Sequence, residues 1–124
     1  MPKRILVIDD EAPIRDLVRE MLELEGYVVK TAPNGKAGLQ LFRKEPTDLI
    51  ITDIFMPEME GLETIRELHR DFPDVKIIAI SGGGESGMLS FLSYAQRFGA
   101  LRTLKKPFTR HELLKTINEL LGEG

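Results

Sequence analysis

Four apolar runs in this sequence end in residues that could do chemistry together. "RILVI" (4–8) runs into Asp9, Asp10 and Glu11, "DLIIT" (48–52) into Asp53, "KIIAI" (76–80) into Ser81, and "LRTLK" (101–105) into Lys106 and Pro107. The carboxylates are oxygen ligands with no Cys in the chain and no His beside them, a donor set suited to a hard divalent cation such as Mg²⁺. A hydroxyl and an ammonium supply the hydrogen bond and the counter-charge that a phosphate-like anion needs.

Whether these groups meet depends on the elements that carry them. With "YVVKTA" (27–32), the apolar runs read as five strands. Between them Ile14, Leu17, Val18, Met21 and Leu22 keep helical spacing, with Pro13 suited to the first turn. Asn34 can cap a second helix carrying Leu39, Leu41 and Phe42, and Leu62, Ile65 and Leu68 mark a third after Gly61. A fourth spans roughly 88–97, and "TRHE" (109–112) forms a capping box leading into Leu113, Leu114, Ile117, Leu120 and Leu121. Alternating strands and helices predict an α/β fold: a doubly wound parallel sheet with right-handed crossovers and helices on both faces. Ligands of such sheets bind outside the carboxyl ends of the strands, where Asp9, Asp10, Asp53, Ser81 and Lys106 all fall. Convergence of these groups is therefore expected.

Composition limits the function classes. At 124 residues, 42% hydrophobic and 30% charged, the chain reads as one soluble domain over 1–124. No apolar stretch approaches the ~20 residues of a membrane span, and no basic segment followed by an apolar one opens the chain. No membrane association and a cytoplasmic location are expected. The net charge of −3 gives no general reason to bind nucleic acid directly. No linker or second domain follows the last helix, so no output domain is expected.

The pieces "VIDDE", "DIFMPEMEG", "IIAIS" and "KPF", in this order, resemble the receiver domain of bacterial two-component response regulators, of the stand-alone single-domain type. The resemblance covers essentially the whole chain and implies a flavodoxin-like five-stranded sheet of order 2-1-3-4-5 with five helices. Strands one and three are then neighbours at ~4.8 Å, so Asp10 and Asp53 would share one small volume and call for a cation. By the same resemblance Asp53, which opens "DIFMPEMEG", is the phosphoacceptor. Mg²⁺, or Mn²⁺ in its place, would be held by Asp10, Asp53 and the Phe55 carbonyl, with Asp9 acting through water. Ser81 and Lys106 would contact phosphoryl oxygens, together with the backbone of Ile54 and Gly82. The implied donor is a phosphohistidine on a sensor histidine kinase or histidine phosphotransfer protein, and the signal passes to a downstream protein target. The chain would be a signalling phosphoacceptor rather than an enzyme.

Several residues have plainer readings. Lys106 rather than Lys105 is assigned to the site because it directly precedes Pro107, and strand alternation sends Lys105 the other way, into solvent. Glu11 opens the first helix, where a carboxylate meets the macrodipole favourably, with a ligand role beside Asp9 and Asp10 as the alternative. His69 and His111 read as helix-surface residues, and Met56, Pro57, Met59 and Gly61 as shaping the loop after Asp53. Two features depart from the family pattern: Thr103 stands where an aromatic residue usually switches inward, and "GGGESG" lengthens the segment after Ser81. Activation is therefore expected to reorder residues 82–92 through the freedom of Gly82, Gly83 and Gly84, carried by Met88, Leu89 and Phe91, while strand five stays nearly still. A metal-dependent phosphohydrolase is an alternative, but Ile54 and Phe55 after Asp53 offer no general acid or base. A receiver-like scaffold that works without phosphorylation would be expected to lose site residues, and none is lost.

Overall fold

Strands covered on both faces are apolar at nearly every position rather than at alternate ones. The computed structural model, which describes residues 2–54, 60–81 and 88–122, places three such strands at the centre of one parallel sheet. The chain runs β1 (Arg4–Ile8), α1 (Ala12–Leu24), β2 (Val28–Ala32), α2 (Gly35–Lys44), β3 (Leu49–Asp53), α3 (Glu60–Asp71), β4 (Ile77–Ser81), α4 (Met88–Phe98), β5 (Arg102–Lys105) and α5 (Arg110–Leu121). The sheet order is β2-β1-β3-β4-β5, as the resemblance implied.

Alternation along β1 sorts its side chains between two cores. Leu6 and Ile8 join Leu39, Phe42, Leu62, Ile65 and Leu68 under α2 and α3. Ile5 and Val7 join Val18, Leu22, Leu113 and Ile117 under α1 and α5. Each fully buried Leu or Ile contributes about 1.5–3 kcal/mol relative to exposure. On α2, a Cβ at Gly38 would lie 2.4 Å from Ile8 Cδ1, so this helix lies close on β1.

The helix starts follow local chemistry. Asn34 Oδ1 accepts the Ala37 N–H at 2.8 Å. Thr109 Oγ1 accepts the Glu112 N–H at 3.0 Å while the Glu112 carboxylate accepts the Thr109 N–H at 2.9 Å, the reciprocal pair of a capping box.

β3 and β4 each reach one residue further than their apolar runs, so Asp53 and Ser81 close these strands, as expected. One expectation needs adjustment. On α1 the buried face is Val18 and Leu22, whereas Leu17 is 52% exposed. Helical period alone made the apolar stripe broader than the face the sheet covers. No helix of the described residues is long and apolar enough to cross a membrane.

Candidate phosphoryl-acceptor site

The register of β1 on β3 pairs Ile8 with Thr52, so one step further Asp9 stands beside Asp53. Both carboxylates are buried, at 4% and 3% exposure. At Asp9 the chain leaves the sheet: Asp9 Oδ1 accepts the Glu11 N–H at 2.9 Å, and Arg15 Nη1 donates to the Asp9 carbonyl at 2.7 Å from the first turns of α1. The turn carries Asp10 to the exposed rim. Asp9, Asp10, Glu11 and Asp53 each offer a carboxylate oxygen, all within 4.8 Å of one another.

Lys106 reaches this cluster from beyond β5. Its N–H continues the ladder to the Ser81 carbonyl at 2.7 Å, which fixes the base of the side chain. Its Nζ lies 2.8 Å from Asp53 Oδ2, 3.2 Å from Asp9 Oδ2 and 3.7 Å from Glu11 Oε1. Burial alone would lower the Lys106 pKa, but the hydrogen bond and charge of Asp53, joined by Asp9, hold it above the ordinary value of 10.5. Lys105 is exposed, as alternation required.

Ser81 is fully buried at the end of β4, and its Oγ has no hydrogen-bond partner among the described residues. Such an orphan hydroxyl is costly unless something else occupies it. Gly61, at the start of α3, packs against the backbone that leaves β3. A Cβ there would lie 2.4 Å from the Asp53 carbonyl oxygen and 2.4 Å from Ile54 Cα, both backbone. Alanine normally suits a helix better than glycine. Here Gly61→Ala should instead destabilise by about 1–3 kcal/mol, because backbone cannot yield as a side chain can; urea denaturation measures it, and an unchanged or raised midpoint would contradict the close approach.

The remaining site expectations divide. The Ile54 amide is corrected: it donates to the Ile80 carbonyl at 2.9 Å, because the β3–β4 ladder continues past Asp53, and so it is committed to the sheet rather than to a phosphoryl group. Phe55, Gly82, Gly83 and Gly84 lie outside the described residues, as do Met56, Pro57 and Met59. Thr103 is half-buried on β5, opposite Ala79 of β4. His69 and His111 are exposed. Sequence reasoning did not anticipate Glu11 as a neighbour of Lys106, nor Arg15 as a brace for Asp9. The signal for Arg15 was its position just inside α1, within reach of the turn that holds Asp9.

Residues 5–118 match the family described as the response regulator receiver domain. The chain belongs to that family. This receiver domain is 31% identical to the chemotaxis protein CheY of Thermotoga maritima, over 97% of the chain and 98% of that protein. It is 34% identical to the response regulator MprA of Mycolicibacterium vanbaalenii, over 98% of the chain but 51% of that protein, and likewise covers 50% of SaeR of Staphylococcus aureus. The receiver domain thus spans about half the length of these two regulators and nearly all of CheY. Among solved structures, it superposes on a CheY-like receiver domain from Methanospirillum hungatei with a TM-score of 0.88 at 34% identity, covering 96% and 93% of the two chains. CheY4 of Vibrio cholerae gives 0.87 at 30% identity, covering 97% and 99%.

Proposed function

We propose that residues 1–124 act as one phosphoacceptor unit of a two-component phosphorelay, taking a phosphoryl group onto Asp53 from a phosphohistidine donor. The observation that carries this reading is Lys106 Nζ at 2.8 Å from Asp53 Oδ2, beside the orphan Ser81 hydroxyl and an acidic cluster. A carboxylate oxygen of Asp53 forms the new bond to phosphorus as the bond from phosphorus to the donor imidazole breaks, and the imidazole leaves with the electron pair and is then protonated. Lys106, already oriented along Asp53, neutralises charge on the transferred oxygens, and the Ser81 hydroxyl donates to one of them. The oxygen-only donor set fits Mg²⁺, or Mn²⁺, with Asp10 and Asp53 as direct ligands and Asp9 acting through water. When bound, the ion adds positive charge next to the phosphoryl oxygens. Ile54 takes no part, since its amide is in the ladder.

An apolar groove of about 620 Å³ between α1 and the start of α5, lined by Ile14, Leu17, Met21, Pro107 and Phe108, shares Lys106 with the acceptor centre. A protein donor whose phosphohistidine reaches Asp53 has apolar surface there to seat on, and Leu17 is exposed at its edge. The donor class is a sensor histidine kinase or histidine phosphotransfer protein, and signalling follows from altered binding of a protein target.

Acetyl phosphate tests the reading without a cognate kinase. The protein should gain a single phosphoryl adduct by intact mass only when Mg²⁺ is present, and it should not turn over an unactivated phosphate monoester. Asp10→Ala should lose most Mg²⁺ affinity and with it the labelling, although its removal relieves repulsion in the metal-free protein. Sustained monoester turnover without an adduct would favour a phosphohydrolase instead, and an absence of any adduct would favour a scaffold.

A further inference from the structure

Glu11 occupies the N-cap of α1 with φ −94° and ψ 107°, yet its side chain makes no capping hydrogen bond. Side chains at this position normally accept an amide of the first helical turn. The Glu11 carboxylate, 63% exposed, instead lies beside Lys106, with Oε1 3.7 Å from Nζ and a carboxylate oxygen within 4.8 Å of those of Asp9, Asp10 and Asp53. Its own amide is taken by Asp9 Oδ1 at 2.9 Å, which ties the base of Glu11 to a buried carboxylate of the centre. Next to this cluster stands a fully buried Ser81 hydroxyl without a partner among the described residues.

We propose that Glu11 is a positioning residue of the acceptor centre that sets its ion preference, strengthening divalent-cation binding and slowing reaction with small anionic phosphodonors. The inference rests on the reading of Asp53 as acceptor. Asp9, Asp10, Glu11 and Asp53 are four carboxylates against the ammonium of Lys106 and the Arg15 guanidinium at the Asp9 carbonyl, so the described side chains of the centre carry a net negative charge that a divalent cation offsets. Glu11 and Asp10 are its exposed members, on the solvent side from which a small dianion must enter. Glu11 thus favours the cation directly and opposes the anion that follows it. A protein donor is less affected, since its apolar contacts along α1 lie outside this field.

Two readouts test the proposal. Calorimetric titration with MgCl₂, used because the chain has no Trp to report binding by fluorescence, should show Glu11→Gln binding Mg²⁺ roughly three- to tenfold more weakly at low ionic strength. The difference should shrink as salt is added, because the carboxylate is exposed. At saturating Mg²⁺ the initial rate of labelling by acetyl phosphate should rise about two- to fivefold in Glu11→Gln. Glu11→Asp, which keeps the charge, should stay near wild type in both. A merely structural role at the helix start would lower the thermal midpoint of Glu11→Gln while leaving Mg²⁺ affinity and labelling rate unchanged, and that result overturns the proposal. If the wild-type protein binds Mg²⁺ but takes no phosphoryl group, the reading of Asp53 fails while the cation arm still decides the role of Glu11.

Discussion

Asp53→Asn should accept no phosphoryl group from acetyl phosphate and should remain folded. The carboxylate of Asp53 is the nearest partner of Lys106 Nζ, at 2.8 Å, and it closes β3 at the strand ends where ligands of such sheets bind. An amide of the same shape keeps the packing but is a poor nucleophile towards phosphorus. Lys106 retains Asp9 Oδ2 at 3.2 Å, so the buried ammonium is not stranded. Folding should survive for that reason, and relief of repulsion between two buried carboxylates offsets part of the lost ion pair. Intact-protein mass after labelling decides it: the adduct should fall to background. A full adduct on Asp53→Asn, mapped to another residue, would contradict the assignment.

Lys106→Met should differ from it in having a large effect on stability as well as on labelling. Removing one member of a buried charge group leaves the others less compensated, and here Asp9 and Asp53 would face each other at 4% and 3% exposure without the ammonium they share. The expected cost is about 3 kcal/mol in metal-free protein near neutral pH. Mg²⁺ should recover part of it, because an ion that binds only the folded state stabilises by mass action. The pH dependence has a definite sign. The folded-state pKa of Lys106 is raised above 10.5, so the stabilisation from its pairing is fully present below that value and is lost as pH rises through the raised one. Wild-type protein should therefore lose stability above about pH 10.5 through this group, and Lys106→Met should lack that component. Urea denaturation with EDTA across this range measures both, and equal stability of the two proteins near neutral pH would refute the role of Lys106 as resident counter-ion.

Much of this centre was legible because its determinants are local. β1, β3 and β4 are buried on both faces, so their apolar runs announced where the strands end and which residues stand there. Asn34 and Thr109 could be read as caps because a cap depends on residues only a few positions apart. Lys106 could be told from Lys105 by alternation and by Pro107.

What escaped the sequence depends on relations between elements. The Ile54 amide looked available until the β3–β4 register showed it bound to Ile80. Leu17 has the period of a core residue, but the width of the covered face is set by how α1 lies on the sheet. Asp10 does share a small volume with Asp53, as expected, but that Asp9 is the buried carboxylate beside Asp53 while Asp10 reaches it from the rim depends on the β1–β3 register. Glu11 was read from its place at a helix start, and its approach to Lys106 needs β5 to deliver that ammonium from nearly a hundred residues away in sequence, a separation of 97 from Asp9.

The most direct test of the central claim is a crystal structure with Mg²⁺ and beryllofluoride, a mimic of the phosphoryl group. The account predicts beryllium on a carboxylate oxygen of Asp53, Mg²⁺ in contact with Asp10 and Asp53, and fluorines within hydrogen-bond reach of Lys106 Nζ and Ser81 Oγ, with the Ile54 amide still bonded to Ile80. Beryllofluoride bound to another residue, or an adduct on Asp53 that leaves both Lys106 and Ser81 uninvolved, would contradict it.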